Sequence, residues 1–198
     1  MAMIGLFGGT FDPVHVGHEL MVSVSFKLGL ERVVVMPCFL SPHKTDLSAN
    51  DEPASGDDRV RMLELAVSGL HGVEVSRFEL DKGGVSYTWQ TLEFLREKHP
   101  HDRLALIVGL DQYHAFPRWE RFAEWSRGLD IFVFRREGVA LPPGEPVQGP
   151  VYHWPEDEIP EVSASEIRCR VRSGKSLEGL VSAQVEEYIR IKRLYLGK

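Results

Sequence analysis

One eleven-residue stretch near the start of the chain restricts the fold more than any other, the glycine-rich segment GGTFDPVHVGH at residues 8–18. An apolar run at residues 3–7 precedes it and predicts a buried strand, and residues 19–27 after it predict a helix. Two adjacent glycines, Gly8 and Gly9, let the backbone turn tightly and approach a ligand closely. A helix that begins directly after such a loop offers unpaired N–H groups to an anion. The stretch therefore predicts a strand, a phosphate-binding loop and a helix.

Two histidines lie in this stretch, three residues apart. His15 is expected in the loop and His18 in the first helical turn, so that both rings face one anion. Near a polyphosphate their pKa values should rise, and a protonated imidazole donates from both nitrogens. The alternative is that one histidine caps the helix and the other packs in the core. A zinc site is disfavoured, because neither cysteine is adjacent and no third ligand has suitable spacing, and we predict no metal site.

The loop lacks both the GxxxxGK[ST] string and the GxGxxG string of the two common nucleotide-binding loops. It resembles the HxGH signature of the nucleotidyltransferase superfamily, and the whole string is similar to the GGTFDPxHxGH of the nicotinate mononucleotide adenylyltransferase family. The resemblance implies transfer of AMP from ATP to nicotinate mononucleotide, giving deamido-NAD and pyrophosphate, in NAD biosynthesis. It implies that His15 and His18 are catalytic and that Thr10 also contacts the mononucleotide. The residues that it assigns to ATP in this loop are Gly8, Gly9, Thr10 and Phe11.

The composition is ordinary for a globular protein, with 43% hydrophobic and 26% charged residues in a chain of 198. A formal net charge of −6 argues against a general nucleic-acid-binding protein, which normally has a basic face. The sequence has no apolar run long enough to span a bilayer. Cys38 and Cys169 are far apart and fit reduced thiols in a cytoplasm. We expect a cytoplasmic protein that binds neither nucleic acid nor membrane, while its oligomeric state, a homo-oligomer included, stays open.

The second strand is predicted at residues 32–36, and a loop rich in proline and small polar residues follows at residues 37–56. This loop contains the string SPHK, which is similar to the PPHK of the same family, with Ser41 in place of the first proline. A lysine in a polar loop is ordinarily exposed to solvent. The resemblance instead makes Lys44 catalytic, and it assigns both His43 and Lys44 to the binding of nicotinate mononucleotide.

A further family string, SYTxxTL, is matched at residues 86–92 before a predicted helix. Ser86 and Thr88 are also reasonable helix N-caps, which is a sufficient structural reason for their presence. In the family, this segment touches the nicotinate end of the substrate. The resemblance therefore assigns Thr88 to the nicotinate mononucleotide site.

The strongest strand pattern, at residues 104–108, leads into a string similar to the family's GxDxxxxxxxW at residues 109–119. Asp111 follows the carboxyl end of that strand, where it either caps the next helix or, as the resemblance implies, contacts ATP. Trp119 lies in a turn and is expected to stack on the pyridine ring, although a tryptophan more often packs in a core. Glu120 is assigned to the same subsite through its N–H group, with its carboxylate pointing to solvent.

A second anion site is predicted near residues 162–168, which resemble the family's ISSTxIR string. Hydroxyl groups at a helix start with an arginine one turn later suit the outer phosphates of ATP. Ser165 retains a hydroxyl, whereas Ala164 has lost one, and a capping serine with a surface arginine is the alternative reading. The resemblance makes Arg168 catalytic and Ser165 an ATP contact. Arg136 is also assigned to ATP, at a point where Glu137 replaces the proline of the family's RPG.

Strands that alternate with helices, with a phosphate loop after the first strand, predict an α/β fold with a doubly wound parallel sheet. The resemblance implies the Rossmann-like nucleotidyltransferase version of this fold. We expect a single domain over residues 1–198, with a small helical part at residues 160–198. The ligand site is expected along the carboxyl edge of the sheet.

The expected chemistry agrees with the absence of a catalytic carboxylate pair. The attacking phosphate is already largely ionised at neutral pH, because its second pKa is about 6, so that no general base is required. In-line transfer without a covalent intermediate needs alignment and stabilisation of phosphate charge, which His, Lys and Arg side chains supply. We expect the only cofactor to be Mg²⁺ carried by ATP.

Three other functions remain open at this point. A phosphopantetheine adenylyltransferase shares the chemistry but usually has threonine at the position of His15. A cytidylyltransferase shares HxGH but lacks the SYT and tryptophan strings. A nucleotide sensor without turnover could use the same loop to hold ATP, because fold and motif alone do not prove catalysis.

Overall fold

The structure, a computed structural model, describes residues 1–42, 53–140 and 148–197. Its centre is a six-stranded parallel sheet with the order β3-β2-β1-β4-β5-β6. This order confirms the predicted doubly wound α/β fold. The strands are β1 (Met3–Gly9), β2 (Arg32–Pro37), β3 (Val73–Val75), β4 (Arg103–Gly109), β5 (Asp130–Phe134) and β6 (Val151–His153).

The described residues contain eight α-helices and one 3₁₀ turn, at Phe116–Arg118. Sequence patterns did not predict α3, because a five-residue helix is too short to show a helical period. The α-helices are α1 (Val16–Lys27), α2 (Gly56–Val67), α3 (Phe78–Lys82), α4 (Thr88–Lys98), α5 (Leu110–Ala115), α6 (Phe122–Trp125), α7 (Ala164–Arg172) and α8 (Ala183–Lys192). None of the described helices has the length and apolar content that a bilayer crossing requires.

The central strands are apolar on both faces, as expected for a parallel sheet that helices cover on either side. Alternate residues of one strand consequently belong to two different cores. In β2, Val33 and Val35 pack in one core, and Val34 and Met36 pack in the other. The first core also contains Ile167 of α7, together with Val185 and Ile189 of α8. The predicted C-terminal helical part therefore packs against the same sheet as the phosphate loop.

The strand β1 pairs with β2 on one side and with β4 on the other. The chain therefore reverses its direction of strand addition at β1, and a crevice opens between the carboxyl ends of β1 and β4. Ligands of open α/β sheets bind at such a topological switch point. Gly8 and Gly9 at the end of β1 and Gly109 at the end of β4 lie at this position.

Candidate active site

A cleft of about 1320 Å³ lies at this carboxyl edge of the sheet. Every candidate residue that the structure describes lines it. These residues are Gly8, Gly9, Thr10, Phe11, His15, His18, Thr88, Asp111, Trp119, Glu120, Arg136, Ser165 and Arg168. The predicted residues His43 and Lys44 lie outside the described residues. Ser41, Pro42 and Pro53, which flank residues 43–52, also line the cleft.

The two glycines of the loop serve different purposes. A Cβ atom on Gly9 would lie 2.9 Å from the ring of Phe11, which is closer than real contacts of this kind. A Cβ atom on Gly8 would have no neighbour within 4 Å. Gly9 is therefore needed for packing of the loop on itself, whereas Gly8 leaves space in the cleft for a ligand.

The two histidine rings are stacked, with their centroids 3.6 Å apart and their planes at 23°. His15 is the N-cap residue of α1, and its backbone N–H donates to Nδ1 of His18 at 3.3 Å. Because Nδ1 accepts this bond, the neutral ring of His18 carries its proton on Nε2. A Cβ atom on Gly17 would lie 3.2 Å from Nδ1 of His15, so the glycine of HxGH makes room for this ring.

The alternative reading of the histidine pair is therefore partly correct as well. His15 occupies the cap position, and the ring of His18 packs edge-on against Phe11 at a centroid distance of 4.9 Å. Both residues nevertheless line the cleft. The structural contacts of the pair hold the two rings at the ligand site.

Burial lowers the pKa of His15 to about 4, and the positive charge of Arg136 contributes to this shift. Its Nδ1 atom is buried and has no hydrogen-bond partner among the described residues. A polyphosphate in the cleft would oppose both effects, because its negative charge favours the protonated ring. The rise that we predicted for a bound polyphosphate therefore starts from a strongly lowered pKa.

The loop between β1 and α1 is held by a buried carboxylate that sequence reasoning missed. Asp12 is 6% exposed. Its Oδ1 atom accepts hydrogen bonds from the hydroxyl of Tyr195 at 2.6 Å and from the N–H of Ala54 at 3.0 Å. Its backbone carbonyl accepts a hydrogen bond from Arg168 at 2.8 Å. The predicted phosphate-binding arginine therefore also fixes the backbone of the first loop.

A second missed residue, Arg59 of α2, holds the same loop from another side. Its side chain is buried and donates to the carbonyl of Thr10 at 2.8 Å and to that of Cys38 at 2.9 Å. One guanidinium group thus joins the segments that follow β1 and β2. An arginine within an amphipathic helix gives no sign of such a role, because arginines on helices are mostly exposed.

The segment predicted as a second anion site forms the start of α7. Ser163 is the N-cap of α7, and its hydroxyl accepts a hydrogen bond from the N–H of Glu166 at 3.2 Å. The capping serine of the alternative reading is therefore present at Ser163, and Ser165 is not the cap. Its hydroxyl instead accepts a hydrogen bond from Arg168 at 3.3 Å. Ser165 and Arg168 form one donor group at the wall of the cleft.

On the opposite side of the cleft, Thr88 is the first residue of α4. The N-cap is Tyr87, which makes no side-chain capping bond, so the capping reading of Ser86 and Thr88 is wrong. The hydroxyl of Ser86 accepts a hydrogen bond from the N–H of Phe39 at 3.1 Å. This bond connects the SYT segment with the segment that precedes the SPHK string.

Glu79 is a third residue that sequence reasoning missed. It is buried, it lines the cleft, and it accepts a hydrogen bond from the hydroxyl of Thr91 in α4. Burial raises the pKa of Glu79, while hydrogen bonds from Thr91 and Ser86 act in the opposite direction. Glu79 therefore holds α4 and the SYT segment together on this side. It lies on the short helix that the sequence pattern did not reveal.

The GxDxxxxxxxW string also lies at the cleft. Trp119 packs edge-on against Phe116 at a centroid distance of 5.0 Å. Glu120 is exposed, as expected for a carboxylate that points to solvent. Gly109 is the N-cap of α5, so the reading of Asp111 as its cap is wrong. Asp111 is exposed at the cleft, where its carboxylate is open to a ligand.

Comparison with known proteins shows to which family the chain is related. Residues 6–170 match the family model described as cytidylyltransferase-like. Nicotinate-nucleotide adenylyltransferase from Bacillus subtilis is 33% identical, and the alignment covers 98% of this chain and 99% of the relative. A protein from Geobacillus thermodenitrificans named "probable nicotinate-nucleotide adenylyltransferase" is 36% identical over 98% of this chain and 87% of its own length. The chain belongs to the nicotinate-nucleotide adenylyltransferase family.

Solved structures agree with this assignment at the level of the fold. Plasmodium falciparum nicotinic acid mononucleotide adenylyltransferase complexed with APC has a TM-score of 0.79 and 16% identity, with 98% of each chain covered. A nicotinate-nucleotide adenylyltransferase from Vibrio parahaemolyticus, termed putative in its description, has a TM-score of 0.71 and 18% identity over 99% of this chain and 96% of its own. Membership in the adenylyltransferase family confirms the resemblance of the GGTFDPVHVGH segment and the Rossmann-like nucleotidyltransferase fold. The roles of single residues stay predictions.

The lowered pKa of His15 predicts a pH dependence of folding stability. The unfolded state takes up a proton near pH 6.5 and the folded state only near pH 4, so the free energy of unfolding should fall as the pH drops between these values. The loss is at most about 3.5 kcal/mol, because one pKa unit corresponds to about 1.4 kcal/mol. Denaturant unfolding of the wild type and of His15→Gln at several pH values measures it.

The substitution His15→Gln should remove this part of the pH dependence. The matched control is His101→Gln, which changes an exposed histidine outside the cleft and should retain the wild-type dependence. Equal slopes for the wild type and His15→Gln between pH 6.5 and 4 would contradict the prediction.

Proposed function

We propose that this protein transfers AMP from ATP to nicotinate mononucleotide, which yields deamido-NAD and pyrophosphate in NAD biosynthesis. The observation that carries this proposal is that one cleft contains both the HxGH loop and the SYT and tryptophan strings. The HxGH loop suits the binding of a nucleoside triphosphate, and the SYT and tryptophan strings suit the binding of a pyridine nucleotide. The names of relatives that are at least 33% identical over nearly the whole chain support the same substrates.

The proposed reaction forms one bond and breaks one. A phosphate oxygen of nicotinate mononucleotide attacks the α-phosphorus of ATP, and the bond from that phosphorus to the bridging oxygen of the β-phosphate breaks. The electron pair leaves with pyrophosphate. Because the attacking oxygen is already ionised, the protein has to align the two phosphates and stabilise the charge that moves to the leaving group.

The residues of the cleft divide this work. His15 and His18 lie beside the loop that receives the triphosphate, and His18 has Nε2 as its donor in the neutral form. Arg168 and Ser165 are suited to bind the outer phosphates beside the same loop, where Arg168 donates to the carbonyl of Asp12. Lys44, with His43, stays assigned to the acceptor phosphate by its sequence string alone.

We further propose that Mg²⁺ enters with ATP and that phosphate oxygens and water hold it. No cluster of three or more potential metal ligands occurs within residues 1–42, 53–140 and 148–197. Of the carboxylates at the cleft, Asp12 and Glu79 are buried and accept hydrogen bonds from other segments, whereas Asp111 accepts one from its neighbour Gln112 at 3.2 Å. Asp111 is exposed and would be the side chain closest in character to a magnesium ligand. The ion, when bound, neutralises part of the phosphate charge.

An activity assay with a panel of substrates tests the proposed function. The protein is incubated with Mg²⁺–ATP and, in turn, nicotinate mononucleotide, nicotinamide mononucleotide or phosphopantetheine, and pyrophosphate release is measured. CTP in place of ATP tests a cytidylyltransferase. We expect release with ATP and nicotinate mononucleotide. Tight ATP binding without release for any acceptor would indicate a nucleotide sensor instead.

The substitution His18→Ala should lower kcat by about a hundredfold and change ATP affinity much less. The reason is that a donor aimed at developing phosphate charge acts mainly in the transition state. Steady-state kinetics and calorimetric titration with ATP measure the two effects, with the exposed residue His101 as the site of a control substitution to alanine. A loss that appears entirely as weaker ATP binding would make His18 a ground-state contact only.

We expect nicotinate mononucleotide to be favoured over the nicotinamide form by about a hundredfold or more in kcat/KM. The two differ in a carboxylate against a carboxamide, so groups that only donate must discriminate them. The N–H groups of Thr88, at the start of α4, and of Glu120 are suited to this, since both residues line the cleft. An unpaired buried donor costs about 1 to 3 kcal/mol, and the amide would leave two. Equal kcat/KM values would contradict the donor-pair argument.

A further inference from the structure

The hydroxyl of Tyr195 makes a contact that links two distant parts of the sequence. Tyr195 follows α8 and is 8% exposed. Its hydroxyl donates a 2.6 Å hydrogen bond to Asp12, which is 183 positions earlier in the chain. Burial raises the pKa of Tyr195, and the charge of Asp12 adds to this shift, so the hydroxyl stays protonated as the donor. Tyr195 itself does not line the cleft.

The backbone around this bond is in an uncommon conformation. Phe11, next to Asp12, has a φ of +50°, and Tyr195 has a φ of +64°. Bulky side chains rarely adopt positive φ angles, and such conformations persist only where the surrounding structure fixes them. The Asp12–Tyr195 bond is one of the interactions that fix them here.

We propose, on the basis of the adenylyl-transfer function above, that Tyr195 is a positioning residue for ATP, which acts through Asp12 on the phosphate loop. The carboxylate of Asp12 is fixed by Tyr195 and Ala54, and its carbonyl is fixed by Arg168. A shift of Asp12 would therefore move the backbone of Phe11 and, at the same time, the carbonyl group to which Arg168 donates. Both belong to the ATP side of the cleft.

The residues assigned to nicotinate mononucleotide at the SYT and tryptophan strings are held by other contacts, which do not include Tyr195. The SYT segment and α4 are held by Glu79 through the hydroxyls of Ser86 and Thr91. Trp119 is held by packing against Phe116. Loss of the Tyr195 hydroxyl should therefore weaken ATP more than nicotinate mononucleotide, which the first loop is expected to contact through Thr10 alone. A residue that served stability alone would not separate the two ligands.

The test compares Tyr195→Phe with Tyr188→Phe in the full-length protein. Tyr188 is a matched control, because it lies in α8, its hydroxyl donates to Asp58 at 2.9 Å, and neither residue of that pair lines the cleft. For each variant, calorimetry gives the affinities for Mg²⁺–ATP and for nicotinate mononucleotide, kinetics gives KM and kcat, and denaturant unfolding gives stability. We expect Tyr195→Phe to weaken ATP about tenfold, the size of one lost hydrogen bond to a carboxylate, and Tyr188→Phe to leave both affinities unchanged.

Two results would overturn the proposal. One is a loss of stability in Tyr195→Phe with both affinities unchanged. The other is an equal loss for both ligands. Turnover by the wild type is measured first, so that a failure of the proposed function is recognised before the variants are compared. The ATP affinities then test the role of Tyr195 whichever acceptor the protein uses.

If Tyr195→Phe does not fold, substitutions of Asp12 give the answer. Asp12→Asn keeps an oxygen that accepts from both Tyr195 and Ala54, whereas Asp12→Ala removes it. We expect Asp12→Asn to retain most of the ATP affinity and Asp12→Ala to lose at least about tenfold. An Asn variant as weak as the Ala variant would contradict positioning through these hydrogen bonds.

Discussion

The parallel pairing of β1 with β2 on one side and with β4 on the other determines where this protein can bind ligands. The arrangement opens a crevice where the two connections diverge, and it brings the glycines that end β1 and β4 to the same edge. Each sequence string to which we assign a chemical role reaches this edge. The HxGH loop continues from β1, the tryptophan string continues from β4, and the helix that carries Arg168 completes the wall.

Two buried carboxylates organise the two sides of this cleft. Asp12 joins the phosphate loop to Tyr195 and Ala54, and Glu79 joins the SYT segment to α4. A buried carboxylate is costly unless donors satisfy it, so each one requires a specific local arrangement. The donors to Asp12 come from segments that lie far apart in the sequence, and Glu79 itself lies on a short helix. The ligand site therefore depends on contacts that no single sequence string contains.

Much of the fold was predictable from the sequence, because its signals are local. Apolar runs identified the central strands, and residues 8–18 identified the phosphate loop and the start of α1. The candidate site residues within the described parts line one cleft, and each lies in a string of recognisable pattern, while their roles stay predictions. The contacts of Asp12, Arg59 and Tyr195 were not predictable, because side-chain hydrogen bonds across 21 to 183 positions leave no periodic signal. The N-cap of α4 was misassigned to Ser86 or Thr88, because hydroxyl residues satisfy the usual capping preference, whereas Tyr87 holds that position.

The central claim is that the cleft aligns two substrates for direct transfer and that no side chain of the protein becomes adenylylated. The stereochemical course at the α-phosphorus tests it most directly. One diastereomer of ATP with sulfur in place of a non-bridging α-oxygen is converted with nicotinate mononucleotide, and the configuration of the sulfur-containing dinucleotide is determined by ³¹P NMR. Direct in-line displacement predicts inversion of configuration. Retention would indicate two successive displacements through an adenylylated residue and would contradict the account.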